Sequence, residues 1–209
     1  MNMIFKSIVA VAMVVAMVGC CSNEGEGSKE EAVMETIMTR RSVRDYKEEP
    51  VCREAMSEIL KCGIYAPNAL NMQPWAVRVV DNKEFIDGVT AIAVAHNPKL
   101  AEQPNFRNIF RNAPTVAFIA CPIESYSGEF DCGLLAENMM LAAWAKGIGS
   151  CCLGSAVPVM STPEALPYLE RLQLPADYKL QVAIAFGYPA DTFVPKVAER
   201  DETKAFYIE

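Results

Sequence analysis

Arg40, Ser42 and Arg44 stand at alternate positions in the run Arg40-Arg41-Ser42-Val43-Arg44. In an extended segment such residues share one side. Two guanidinium forks and a hydroxyl on that side match a phosphate or another planar anion. Three of the nine arginines fall within these five residues, in a chain whose 19 basic and 26 acidic residues leave a net charge of −7. A solvated basic turn between helices has the same spacing. A second cluster, Pro67-Asn68-Ala69-Leu70-Asn71-Met72-Gln73-Pro74-Trp75, sets two asparagines and a glutamine between two prolines. Such a loop is rich in amide donors and acceptors and could read the polar edge of a heterocycle, although taken alone turn chemistry leading into a strand accounts for it better. The third, Gly147-Ile148-Gly149-Ser150-Cys151-Cys152-Leu153-Gly154-Ser155, is no G-x-G-x-x-G dinucleotide loop, because it follows a helix instead of opening one. Its glycines end the helix and expose backbone N–H groups near Gly154.

The composition narrows the chemistry further. An acidic surface repels phosphate backbones, which argues against general nucleic-acid binding. The single histidine, His96, leaves no material for a histidine-rich zinc site and would have to serve any Ser-His-Asp triad alone. If the chain catalyses a reaction, most of the chemistry is expected from a bound cofactor. No C-x-x-C pair is present, and Cys121, Cys151 and Cys152 sit in apolar runs where cysteine packs as a small hydrophobe, so no disulfide is expected.

The elements that must hold these clusters follow from periodicity. Helical spacing runs from Glu31 to Thr39, from Arg53 to Ala66, from Phe85 to Ala95 and from Pro163 to Leu172, the last capped by Ser161 or Thr162. Trp75–Val80, Thr115–Cys121, Ser150–Leu153 and Tyr178–Phe186 read as strands, with Phe206–Ile208 as one more and a helical turn around Phe106–Phe110. Phe130–Lys146 is a long helix, apolar on nearly every side, which must be buried in a core or against a partner subunit. Helices and strands interleave without regular βαβ spacing, which predicts an α+β layered fold.

The N-terminus reads as an address. Lys6 precedes an apolar run of 11 residues, Ile8–Val18, too short to span a bilayer but suited to a secretory signal. Met17-Val18-Gly19-Cys20 resembles the lipobox of bacterial lipoproteins, with Met17 in place of the usual Leu. The expected organisation is a signal peptide over 1–19, lipidation at Cys20, a flexible acidic tether over 20–30 and a folded body over 31–209, exported and lipid-anchored to a bacterial membrane. Export sets a condition, since the cofactor and its reductant must then be met outside the cytoplasm.

Taken in order, the three clusters resemble the FMN-dependent nitroreductase family. Arg40–Arg44 matches its R-x-S-x-R/K opening. Pro67–Trp75 matches P-S-x-x-N-x-Q-P-W, with Asn68 in place of Ser. Gly147–Gly154 matches G-[IL]-G-S-x-x-x-G, and Phe186–Pro189 matches a strand closing in F-G-Y-P. The resemblance spans Glu31 to Glu209 and implies a central, mostly antiparallel sheet flanked by helices in an intertwined homodimer with two FMN sites. It further implies that Arg40 and Ser42, with Lys196 or Arg200, hold the phosphate, that Arg41 is among the cofactor-binding residues, and that Arg44 lies near the pyrimidine end of the flavin. Pro67, Asn68, Ala69, Asn71 and Gln73 would come from the second subunit. Cys152, Leu153, Gly154 and Ser155 would pass over the ring, with the Gly154 N–H facing N5. NAD(P)H would reduce FMN by hydride transfer and leave, and a nitroaromatic, quinone or related acceptor would then enter the same place. Two other readings are a dehalogenase-type flavin reaction on the same fold and a lipoprotein that captures a ligand without turnover.

Overall fold

The computed structural model describes residues 28–197 and 199–208; the expected signal peptide, Cys20 and most of the tether lie outside the described residues. In chain order the elements are α1 (Lys29–Thr39), α2 (Arg53–Ile64), β1 (Ala76–Val80), α3 (Lys83–His96), β2 (Thr115–Pro122), α4 (Gly128–Ala145), β3 (Gly149–Leu153), α5 (Ala156–Met160), α6 (Leu166–Arg171) and β4 (Tyr178–Gly187). The four strands form one antiparallel sheet in the order β1-β2-β4-β3. None of the described helices is long and apolar enough to cross a membrane.

Strand β2 is central, and its side chains alternate between two cores. Val116 and Phe118 join Phe85, Ile86 and Val89 of α3 and Met160 of α5 on one side. Ala117, Ile119 and Cys121 join Met56 and Ile59 of α2 and Leu135 and Met139 of α4 on the other. Burial on both faces explains why β2 is an unbroken apolar run and not an alternating one. The result is a sheet between two helical layers, the α+β arrangement expected from the sequence.

Several boundaries differ from expectation for local reasons. Helix α1 starts at Lys29 because Ser28 and Glu31 form a capping box, the Ser28 hydroxyl accepting from Glu31 N–H at 3.1 Å and the Glu31 carboxylate from Ser28 N–H at 2.7 Å. The folded body thus begins inside the stretch assigned to the tether. The helix expected over Pro163–Leu172 divides into a 3-10 turn at Pro163–Ala165 and α6, since Pro167 lacks the N–H that would join them. Thr162 occupies the N-cap, yet its hydroxyl donates back to the Val159 carbonyl at 2.9 Å instead of capping. Phe106–Phe110 turns without becoming a helix. Phe206–Ile208 is not a strand. Its side chains are exposed, and the outer edge of β3 is already bridged by Ser42.

Helix α4 buries Cys132, Leu135, Ala136, Met139, Met140 and Ala143, while Phe130 at its start is 71 % exposed. Helix α1 buries nothing. Its apolar residues Val33, Met34, Ile37 and Met38 are all at least half exposed.

Candidate functional site

The segment after α1 is held as a short extra strand along β3. Ser42 makes a parallel bridge to Ser150, and Val43 N–H donates to the Ser150 carbonyl at 2.9 Å. The two backbones can lie this close because of Gly149, where a Cβ would come within 2.6 Å of the Val43 side chain. Farther along, Tyr46 bridges Pro189 and donates its hydroxyl to the Val43 carbonyl at 2.7 Å. Val43 and Tyr46 are buried, so the segment between them has little freedom.

Burial of Val43 leaves its neighbours Ser42 and Arg44 on the opposite side, with Arg44 Nη1 donating to the Ser42 carbonyl at 3.3 Å. Arg40 is drawn toward α4 by Glu137, at 3.4 Å. Arg41 turns back on α1 and donates to the carbonyls of Met38 at 2.7 Å and Arg40 at 2.8 Å. Two buried polar atoms without a partner among the described residues, Arg41 Nε and Ser150 Oγ, lie at this one junction.

Strand β3 delivers Cys152, Leu153, Gly154 and Ser155 beside the same segment. Leu153 is buried, while Cys152, Gly154 and Ser155 are exposed. A Cβ added to Gly154 would meet nothing within 4 Å, so packing within the chain does not require glycine there. A flat ligand lying against that backbone would. Burial pushes the Cys151 thiol up, against the pull of Arg44, Arg111 and Arg40, and it pushes Cys152 up in the same way. Both stay protonated near neutral pH and are poor nucleophiles. Arg44, Arg111 and Ser155 also share a cavity of about 410 Å³. Arg111 was not singled out in the sequence, where the polar stretch 98–112 carries no motif; its signal was a cation among closely spaced asparagines (Asn105, Asn108, Asn112) ahead of Pro114.

The amide loop lies elsewhere. Asn68 Oδ1 accepts from Gln73 N–H at 2.8 Å, and Ala69 N–H reaches the buried carboxylate of Asp131 at 3.4 Å near the start of α4. Leu70, Asn71 and Gln73 all adopt left-handed backbone, with φ of 53°, 54° and 49°. Pro67, Asn71 and Gln73 are exposed. At the other end of α4, Trp144 donates to the Thr39 hydroxyl at 3.0 Å. Glu137, which holds Arg40, stands about 9 Å of helix rise from Asp131. Among the described residues no hydrogen bond or ion pair joins the amide loop to Arg40–Arg44. Lys196 and Arg200 lie in an exposed tail and share no ion pair or cavity with Arg40–Arg44 among the described residues.

The chain matches the Nitroreductase family over residues 37–188. It is 32 % identical over 168 residues to an Archaeoglobus fulgidus protein named for NADH dehydrogenase and NAD(P)H nitroreductase activities, covering 77 % of this chain and 87 % of that one. An FMN reductase [NAD(P)H] of Bacillus subtilis is 27 % identical over 176 residues, covering 78 % and 68 %. Among solved structures, an FMN-bound nitroreductase from Bacteroides fragilis superimposes with a TM-score of 0.75 at 28 % identity, covering 85 % of this chain and 98 % of that one. An FMN-bound nitroreductase from Desulfitobacterium hafniense gives 0.74 at the same identity and coverage. A match over this much of the chain, with the same architecture beneath it, makes the protein a member of the Nitroreductase family.

Proposed function

We propose that the protein is an FMN-dependent oxidoreductase that takes electrons from NAD(P)H and passes them in a ping-pong sequence to a nitroaromatic, quinone or related acceptor, as a homodimer. Membership of the family makes it an NAD(P)H-dependent flavin enzyme; the acceptor, the kinetic order and the pairing of subunits are the finer part of the reading. The observation that carries it is the pinned Arg40–Arg44 segment beside a strand end at Gly154 that is open to a flat ligand.

The residues present suit FMN. Arg40 and Ser42 offer a charge and a hydroxyl to the phosphate. Arg44 places positive charge where the pyrimidine end would lie, which favours electron-rich states of a bound ring. The Gly154 N–H is a donor with no side chain in its way. Bound there, FMN supplies a carrier of two electrons, so neither His96 nor a cysteine thiolate is called for. Pro67, Asn68, Ala69, Asn71 and Gln73 belong to the same site by way of a second copy, and Lys196 or Arg200 reaches it from the tail.

A second copy also has a place to sit. Val33 and Ile37 of α1, Tyr65, and Leu141 and Ala142 of α4 line an apolar groove of about 590 Å³. A water-facing surface of that kind marks an interface. The N-terminal address completes the reading: a protein lipidated at Cys20 and held at a bacterial membrane by that anchor alone.

Purified full-length protein is expected to be yellow and to release one FMN per chain on denaturation. Anaerobic mixing with NADH or NADPH should bleach it, and a nitroaromatic or quinone should restore the colour. A colourless protein that takes up no added FMN would overturn the proposal. Cys20→Ala should abolish lipid labelling and release the protein from membranes, and retention through a salt wash would refute the anchor.

A further inference from the structure

Among the described residues, Arg40 is the one arginine of the basic segment that is paired with a carboxylate. Glu137 Oε1 lies 3.4 Å from Arg40 Nε. The other two are engaged by carbonyls, Arg41 with those of Met38 and Arg40, and Arg44 with that of Ser42.

Helix α4 places this pair. Glu137 and Trp144 are seven residues apart, about two turns, and so share one face of the helix. Trp144 donates to the Thr39 hydroxyl at 3.0 Å and Glu137 accepts Arg40, which seats two consecutive residues at the end of α1 on that face. The Arg40 side chain is mostly buried, so its direction is set by the chain and not by solvent.

The edge that Glu137 occupies decides what is left. A guanidinium carries one N–H on Nε and four more on its two Nη atoms. Glu137 meets the Nε side, and among the described residues no hydrogen bond or second ion pair takes up the Nη groups. Those groups remain able to grip an oxyanion in a two-pronged contact. The same carboxylate brings a negative charge to the place where a phosphate would sit. Both charges are felt at the end of β3: burial and Cys151 push the Cys152 thiol up, Glu137 pushes it further, and Arg40 pulls it down.

We propose that Glu137 is a positioning residue for the phosphate of FMN. It aims the Arg40 guanidinium through the Nε edge, and by its charge it keeps phosphate affinity below what an unpaired arginine would give. The proposal rests on the flavin reading and deepens it. Glutamine and alanine separate the two effects, since both remove the charge but only glutamine keeps an acceptor for Nε.

The test is equilibrium dialysis of full-length protein, stripped of flavin, against FMN and against riboflavin, which has the same ring and no phosphate. Glu137→Gln should bind FMN roughly three- to tenfold more tightly than wild type, because a like charge near the phosphate is gone. Glu137→Ala should bind FMN about threefold or more weakly than Glu137→Gln, because the arginine is no longer aimed. Riboflavin affinity should be equal in all three proteins, an equality that a general disturbance of the α1–α4 contact would break. Glu137 is half exposed, so both variants should keep the wild-type Tm. Equal FMN affinity in the two variants would overturn the aiming role. An FMN affinity in Glu137→Gln no higher than in wild type would overturn the charge role, and parallel shifts for riboflavin would overturn both. A wild type that binds neither flavin would instead sink the flavin reading on which the proposal stands.

Discussion

The basic segment 40–44 and the amide loop 67–75 are both short irregular connections, and the fold treats them in opposite ways. The first is stitched to β3 and to the chain beyond β4, with Val43 and Tyr46 as buried pegs. The second is bonded to itself and to Asp131, holds three left-handed residues, and leaves Leu70 93 % exposed. A chain can complete only that part of a site whose backbone it can fix. The amide loop is instead displayed, its left-handed residues held by bonds within the loop and to Asp131. The difference explains why one motif looks finished in the monomer and the other does not.

The sharpest way to break this comparison is to deny the displayed half its partner. Ile37→Glu leaves the monomer soluble, since Ile37 is half exposed there, but would bury an unpaired carboxylate in a dimer, at a cost of several kcal/mol. Light scattering should then show a monomer, and flavin should be lost with the dimer. A yellow, active dimer from this variant would mean that the face of α1 has no partner. Next in size is Arg40→Ala, which should weaken FMN binding by about 1.5–3 kcal/mol in equilibrium dialysis, whereas Arg44→Ala should mainly lower the flavin reduction potential. Flavin retention equal to wild type in both variants would detach the pinned half from the cofactor.

Ser150→Ala tests the same half through folding. Removing a buried hydroxyl that lacks a partner should stabilise the flavin-free protein by up to about 1–2 kcal/mol in chemical denaturation. A loss of stability would show that the hydroxyl is already satisfied within the chain. The smallest effect is expected at Gly154→Ala, within about 0.5 kcal/mol for folding because the added Cβ meets open space, yet with a measurable drop in FMN affinity. An unchanged affinity would move the ring away from this backbone.

Much of this was legible in the sequence because strong local signals agreed with the tertiary outcome. The run Thr115–Cys121 between two prolines could hardly be anything but a buried strand, and α3 and α4 announced themselves by length. The pairing of Ser42 with Ser150 was hidden, since a bridge between residues 108 positions apart leaves no local trace. So was α5, whose five residues include a proline and are too few to show a period. Arg111 escaped notice because a left-handed turn held by side-chain amides has no fixed spacing. Lys196 and Arg200 were readable as cations, but no local pattern in an exposed tail says where it goes.

Helix α4 has a further consequence as a ruler. Asp131 grips the amide loop, Glu137 grips Arg40, and Trp144 grips the end of α1, all along one rigid rod. Each residue advances such a rod by about 1.5 Å and rotates it by about 100°. One residue inserted between Asp131 and Glu137 would leave every contact locally possible but would turn one grip away from the other by more than a quarter of a circle. The spacing of the amide loop and the basic segment along one chain is thus indexed to a count of helical residues. Variation in size among such proteins is better tolerated in the connections on either side of α4 than within it.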